Sequence, residues 1–268
     1  MTASTVDVRG VRVAITGASS GLGYAMARAL TAQGAHVVIG SRHDETLDRT
    51  VRALRAGSGT ITAARLDVRD TESVERFMDV VERTHHGLDV LINNAGLGMR
   101  SVNPGFMFEP QPFWEVSPDG FRAVIETNLT GYFLMARAVV TRFFLPSRAG
   151  KIVNVTMNHE TMRRQGFVPY GPSRAGAEAL SEIMGADLAT LGVSVNLLLP
   201  GGATLTGMIP DEVPDAVRSR LLPPQVMERP VRFLASSASD GITGARIVAR
   251  DFAGWCAERE LILEEATL

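Results

Sequence analysis

Short apolar runs alternate along this chain with longer amphipathic stretches. Seven runs read as strands, over residues 11–16, 35–40, 60–66, 88–92, 151–155, 194–199 and 246–249. Each is apolar nearly throughout rather than at every second position, the pattern of strands covered by helices on both faces. Between them apolar residues recur at helical spacing. Val74, Phe77, Met78 and Val81 fall at i, i+3, i+4 and i+7 and form one buried stripe. Two longer helices are predicted over 118–145 and 169–191, each starting near a proline whose missing N–H costs no bond in a first turn. No internal repeat, low-complexity tract or linker interrupts the alternation. The pattern predicts an α/β fold: a doubly wound, Rossmann-like parallel sheet of about seven strands, forming a single domain over 1–268.

Composition narrows the partners. The chain has 268 residues, 45% hydrophobic and 21% charged, with a net charge of −2. Such a balance offers no basic field for nucleic acid or an anionic membrane. The single cysteine, Cys256, excludes an intramolecular disulfide framework, fits a reducing cytosol and reads as inert packing. No basic stretch leads into an apolar run at the N-terminus, so no signal peptide is visible. The longest apolar tract, 132–145, is broken by Arg137 and Arg142 and is too short to span a bilayer. The expectation is a cytoplasmic protein whose partner is a small-molecule substrate, with no nucleic acid and no membrane.

The candidate chemistry sits at strand ends. Thr16-Gly17-Ala-Ser19-Ser20-Gly21-Leu22-Gly23 joins the first strand to a helical stretch beginning at Tyr24. Glycines there allow a tight turn whose backbone N–H groups reach a diphosphate, and the following helix N-terminus favours its charge. The second strand ends in Ile39-Gly40-Ser41-Arg42. No acid stands there to bind a ribose 2′-hydroxyl, and the Arg42 fork suits a 2′-phosphate. NADP(H) is therefore favoured over NAD(H), the alternative being a solvated Arg42 beside His43 and Asp44. Tyr170-Gly-Pro-Ser-Arg174 then places a tyrosine and a cation one helical turn apart, on one face.

The spacing Thr-Gly-x-x-x-Gly-x-Gly, Asp67-Val68, Asn93-Asn94-Ala95-Gly96, the Tyr170 motif and Pro200-Gly201 occur in one order from about residue 11 to 206. In that order they resemble the short-chain dehydrogenase/reductase family. The resemblance implies a cofactor site made of Gly17, Ser19, Ser20, Gly21, Leu22, Gly23, Ser41, Arg42, Asp67, Val68, Asn94, Ala95, Gly96, Tyr170, Arg174, Pro200 and Gly201. Asp67 and Val68 would contact adenine, and Pro200-Gly201 would lie on the nicotinamide side. It also implies a catalytic set of Tyr170 as proton donor or acceptor, Arg174 as ribose clamp and charge partner, and Asn128 as the anchor of a relay water. No metal is implied.

Two positions depart from that family's pattern. Its lysine is Arg174 here, and its serine, thirteen residues before the tyrosine, is Met157. Arginine supplies charge and binds hydroxyls but stays protonated, so it relays protons poorly. A thioether cannot donate a hydrogen bond to a developing oxyanion, and losing one such donor commonly costs about 10²–10³ in rate. Thr156, Asn158 and His159 lie within two residues of the gap. His159 shares the parity of Met157 if the strand continues, with a polar loop residue as the alternative. Three functions stay open: an NADP(H)-dependent oxidoreductase interconverting a carbonyl and a secondary alcohol, a non-redox enzyme performing proton transfer, elimination or cyclisation, and a silent nucleotide-binding protein.

Thirty-one residues separate Gly96 from Asn128. The added stretch, 98–117, carries Met99, Phe106, Met107, Phe108, Phe113 and Trp114, either as a pocket wall or lid or as packing against the core or a second subunit. Residues 202–224 add Leu205, Met208 and Ile209, so a hydrophobic substrate is expected. His85-His86 reads as a solvated helix end rather than a metal site. Glu258, Glu260, Glu264 and Glu265, with Arg259, read as a solvated helix face. Pairing through the two long helices into a homodimer or homotetramer is implied by the resemblance.

Overall fold

The computed structural model describes residues 4–266. Strands β1 (Ser4–Val6), β2 (Arg12–Thr16), β3 (His36–Ser41), β4 (Thr60–Arg65), β5 (Val90–Asn93), β6 (Gly150–Val155), β7 (Val193–Leu199), β8 (Arg246–Val248) and β9 (Leu263–Glu265) run along the chain. The last seven before β9 form one sheet in the order β4-β3-β2-β5-β6-β7-β8, every pair parallel. Each predicted strand lies within two residues of its observed limits.

The apolar strands bury both faces. Val13 and Ile15 of β2 point into one core with Met26 and Leu30 of α1 (Gly21–Ala32) and Phe233 of the helix Glu228–Ala235. Ala14, between them, points into the other core, with Phe77 and Met78 of α3 (Thr71–His85) and Met135 and Phe144 of the long helix. Period-two alternation in a sheet covered on both sides makes every position apolar, which is why the strands read as continuous runs.

The long helix covers residues 118–147 and starts where Ser117 accepts a bond from the Gly120 N–H at 3.0 Å. It contains two π turns, Glu126–Thr130 and Val140–Phe144. Such turns locally change which side chains face a neighbour, and the first holds Asn128. The helix Tyr170–Leu188 follows, with Pro169 just outside its first turn. The strand order reverses between β2 and β5, and a reversal of this kind leaves a crevice at the carboxyl ends of the strands.

Two sequence expectations are corrected. The acidic tail is not a solvated helix face throughout: Leu263–Glu265 is strand β9, paired in parallel with β1 in the register Ser4↔Leu263, and Glu265 meets Arg232 at 2.9 Å. That pairing joins opposite ends of the chain through backbone bonds, so no local periodicity announces it. His85 is only partly solvated. Its ring stacks on His36 at 5.9 Å, and its Nε2 is buried without a partner. Burial pushes the His85 imidazole below the ordinary value of 6.5, and the charge of a protonated His36 pushes the same way. His86, beyond it, is exposed in the left-handed cap of the helix.

The unfolded chain therefore takes up a proton at His85 before the folded chain does, so stability is present above about pH 6.5 and declines as pH falls below it. Urea midpoints measured between about pH 7.5 and 5 should fall on acidification, and His85→Leu should flatten that decline. An unchanged slope in the variant would assign the effect to other groups.

Candidate active site

A cleft of about 670 Å³ opens over the carboxyl ends of the central strands. Its floor is built where two glycine-containing turns meet. Gly17 has φ +66°, and a Cβ there would stand 2.7 Å from the Ala95 Cα, so only glycine fits. Thr16 Oγ1 accepts from the Asn94 and Ala95 N–H groups at 3.0 and 2.9 Å, and the Asn94 amide donates back to the Thr16 and Gly17 carbonyls. Ser20 begins α1 without capping it through its side chain, leaving that helix N-terminus open to an anion.

Every residue expected in the cofactor or catalytic sets lines this cleft except Gly23 and Asn128. Gly23 lies behind the floor, where a Cβ would strike the Asn94 amide and the Gly17 carbonyl. Asn128 is fully buried. Its Oδ1 accepts from the Leu97 N–H at 2.8 Å, while its Nδ2 donates to the Leu97 carbonyl and to Ser173 Oγ at 2.9 and 3.0 Å. Both amide hydrogens are thus spent on fastening the loop after β5 to the two long helices.

At one end of the cleft, Ser19 Oγ meets Ser41 Oγ at 3.1 Å, with Arg42 beside them. The Asp67 carboxylate there is already taken. Arg69 reaches it through Nε and Nη2 at 2.9 and 2.6 Å, and these bonds hold its carboxyl below the usual carboxylate range. Arg69 lines the cleft and was absent from the sequence expectations. Its one signal was its place two residues after Asp67.

At the other end, Tyr170 opens its helix and Arg174 lies one turn on, only 2% exposed. Arg174 Nη1 donates to Tyr132 Oη at 2.6 Å and to the Val155 carbonyl at 2.9 Å. The guanidinium carbon stands 5.3 Å from the centre of the Tyr170 ring and 5.4 Å from that of Tyr132. Its Nε is buried with no partner. Burial opposes the charge, but the two phenols outweigh it, and the guanidinium holds its proton more tightly than an ordinary arginine. Burial likewise pushes the Tyr132 phenol up, and Arg174 offsets this only in part. Sequence reasoning missed Tyr132. It sits one turn after Asn128 on the same helix face, which was the available signal.

Met157 lines the cleft and packs with Met99, Met162 and Phe167. His159 does not replace it. Strand β6 stops at Val155 and the chain turns at Asn158 into the short helix His159–Met162, so the parity premise fails. His159 Nε2 instead meets Glu178 Oε2 at 2.7 Å, and Thr156 Oγ1 donates to Glu178 Oε1 at 2.6 Å. Asn158 lines the cleft, and among the described residues its side chain has no hydrogen-bond partner.

Part of the stretch 98–117 takes the first of its expected roles. Met99, Phe106 and Met107 wall the cleft, whereas Phe108, Phe113 and Trp114 face solvent. Arg100 ties this wall to the 202–224 segment, meeting Asp211 at 2.5 Å and the Ile209 carbonyl at 3.1 Å.

The family model for short chain dehydrogenases matches residues 12–216. The 3beta-hydroxysteroid dehydrogenase 1 of Eggerthella lenta is 32% identical over 252 residues, covering 90% of this chain and 92% of that one. A cis-4-hydroxycyclohexanecarboxylate dehydrogenase of Sinomonas cyclohexanicum is 34% identical over 243 residues, covering 87% and 93%. Among solved structures, an actinorhodin polyketide ketoreductase with NADPH superposes with a TM-score of 0.79 at 25% identity, covering 89% of this chain and 95% of that one.

Gly96 sets how closely the loop after β5 approaches the cation. A Cβ there would stand 2.4 Å from Arg174 Nη2 and 3.1 Å from Asn128 Oδ1. Gly96→Ala should displace the guanidinium and weaken dinucleotide binding about tenfold or more in a fluorescence titration, the scale of one lost charged hydrogen bond. Unchanged binding would mean that the guanidinium position is not critical.

Proposed function

The chain belongs to the short-chain dehydrogenase family, and on that premise we propose that it is an NADP(H)-dependent oxidoreductase interconverting a carbonyl and a secondary alcohol on a small, mainly apolar molecule. The observation that carries this reading is the pair at the end of the cleft: Tyr170 open to it, and a buried Arg174 whose Nε–H has no partner among the described residues. A ribose hydroxyl is the acceptor that such an orphan fits.

The nicotinamide, when bound, supplies or takes up the hydride. The turn from Gly17 to Leu22 and the start of α1 hold the diphosphate. Arg42 takes the 2′-phosphate, a role supported by the lack of a free carboxylate at that end, since Asp67 is engaged by Arg69. Tyr170 gives its proton to the carbonyl oxygen in reduction, or receives one from the hydroxyl in oxidation. Arg174 stabilises the charge left on the Tyr170 oxygen and donates to the ribose. Because arginine does not give up its proton, Tyr170 exchanges protons with solvent at the open cleft rather than through Arg174. Of Thr156, Asn158 and His159, Asn158 alone faces the cleft with an unpartnered amide, and it orients the substrate oxygen that Met157 cannot bind.

Met157 itself favours a second reading, in which Tyr170 moves a proton without net hydride transfer. The protein acts in the cytoplasm as a homodimer or homotetramer, a reading supported by the exposed Phe121 and Phe133 on the long helix and Ile183 on the helix Tyr170–Leu188.

In paired titrations NADPH should bind at about micromolar strength and NADH at least about tenfold more weakly, with Arg42→Ala narrowing the gap. Tyr170→Phe should lower kcat by about 10²–10⁴ while leaving NADPH affinity near that of the unaltered protein. Turnover without NADPH consumption would select the second reading. Saturation by neither nucleotide would overturn both the cofactor assignment and hydride transfer.

A further inference from the structure

The substrate half of the cleft is apolar and carries one unmatched charge. Met99, Phe106, Met157 and Phe167 wall it, beside Tyr170. Arg164 lines the same half and is exposed at its mouth. Its backbone is fixed in a tight turn after the short helix: the Arg164 N–H donates to the Thr161 carbonyl, and the Arg164 carbonyl accepts from the Phe167 N–H, both at 3.2 Å. Its guanidinium carbon stands 5.4 Å from the centre of the Phe167 ring. Phe167 is itself buried edge-to-face against Phe106 at 5.9 Å. The cation therefore lies against a packed aromatic ring.

The other cleft cations are accounted for. Arg174 is buried on Tyr132 and the Val155 carbonyl, Arg69 holds Asp67, and Arg42 stands at the far end beside Ser41. Among the described residues, Arg164 makes no ion pair and its guanidinium makes no hydrogen bond to the protein. Among the described residues, Asp67 is the only acidic side chain lining the cleft, and it belongs to the opposite end.

A molecule that fills the apolar half lies beside this guanidinium, which stays in contact with water. Among the described residues no carboxylate lines this half of the cleft, so an anionic group of the ligand would meet the cation without competition from the protein. A planar fork with parallel N–H donors matches a carboxylate in two-point fashion. We infer that Arg164 is a specificity residue that binds a substrate carboxylate, so that the substrates are apolar keto acids and hydroxy acids rather than neutral ketones and alcohols. The apolar body lies along Met99, Phe106 and Met157, which leaves the reacting carbon toward Tyr170. The inference deepens the oxidoreductase reading and rests on it for the reacting group, whereas recognition of the carboxylate stands on Arg164 alone.

The test compares 4-oxocyclohexanecarboxylate with its methyl ester, equal in ring and ketone and different in charge. With NADPH the acid should be reduced with a kcat/KM about ten- to a hundredfold above the ester, the scale of a charged hydrogen-bonded pair. Arg164→Gln should erase that preference through KM, leaving kcat and the ester within about threefold of the unaltered protein. Arg164→Lys, which keeps the charge and loses the fork, should fall between. Added salt should erode the preference, because the cation is exposed. Equal use of acid and ester, or equal losses on both in Arg164→Gln, would overturn the inference.

Calorimetric binding of cyclohexanecarboxylate against cyclohexanecarboxamide separates this outcome from failure of the redox reading. Binding of the acid alone, lost in Arg164→Gln, upholds carboxylate recognition even where no ketone turns over. No selective binding, with ester reduction intact, sinks it while leaving the oxidoreductase standing.

Discussion

A single buried cation organises the chemical end of this protein. Arg174 brings a full charge to a position that water barely reaches, and the surrounding chain is arranged to tolerate it. The Tyr132 hydroxyl and the Val155 carbonyl each accept one of its hydrogens, and the two phenol rings flank it. A partly compensated buried ion is costly unless its remaining donors find acceptors. Only Gly96 leaves room for the guanidinium, and Asn128 locks the loop that carries it by both ends of its amide. Loop, long helix and Tyr170 helix thus converge on one charge, whose Nε is buried without a partner among the described residues.

Much of this was legible in the amino-acid sequence, for reasons that can be named. Strands buried on both faces cannot avoid being apolar throughout, so Val13-Ala14-Ile15 announces itself. The turns at Gly17 and Asn94 depend on residue types that few alternatives can replace, so their spacing carries information. Other features depend on side-chain direction or on distant partners. His159 followed from parity only while the strand lasted, and β6 ends at Val155. Asp67 was expected beside adenine, and nothing in that expectation says that Arg69 two residues on engages its carboxylate. Tyr132 read as one more apolar position in a helix, because nothing local says that its hydroxyl lies against a cation on another helix. The pairing of Ser4–Val6 with Leu263–Glu265 joins chain ends whose composition suggests no strand at all.

The two ends of the cleft differ in kind. At the end formed by the turns after β2 and β3, the lining is mainly backbone groups and short polar side chains, held by turns that fix their geometry. At the Tyr170 end, the wall is methionine and phenylalanine from the 98–117 stretch and the 156–167 segment, and the Arg100–Asp211 pair ties the first of these to the 202–224 segment. The first end is set by backbone conformation and tolerates little change. The second is set by flexible side chains on loops, where volume and charge can drift without disturbing the sheet.

The contact between Arg174 and Tyr132 has an evolutionary consequence. A lysine at residue 174 would have to reach Tyr132 and the Val155 carbonyl from a compact ammonium on a differently shaped stem, without the planar guanidinium that the two phenol rings now flank. A phenylalanine at residue 132 would in turn strand an arginine hydrogen in the core. The two positions are therefore coupled: changes at residues 174 and 132 should not act additively on stability, and which residue is tolerated at one depends on the other.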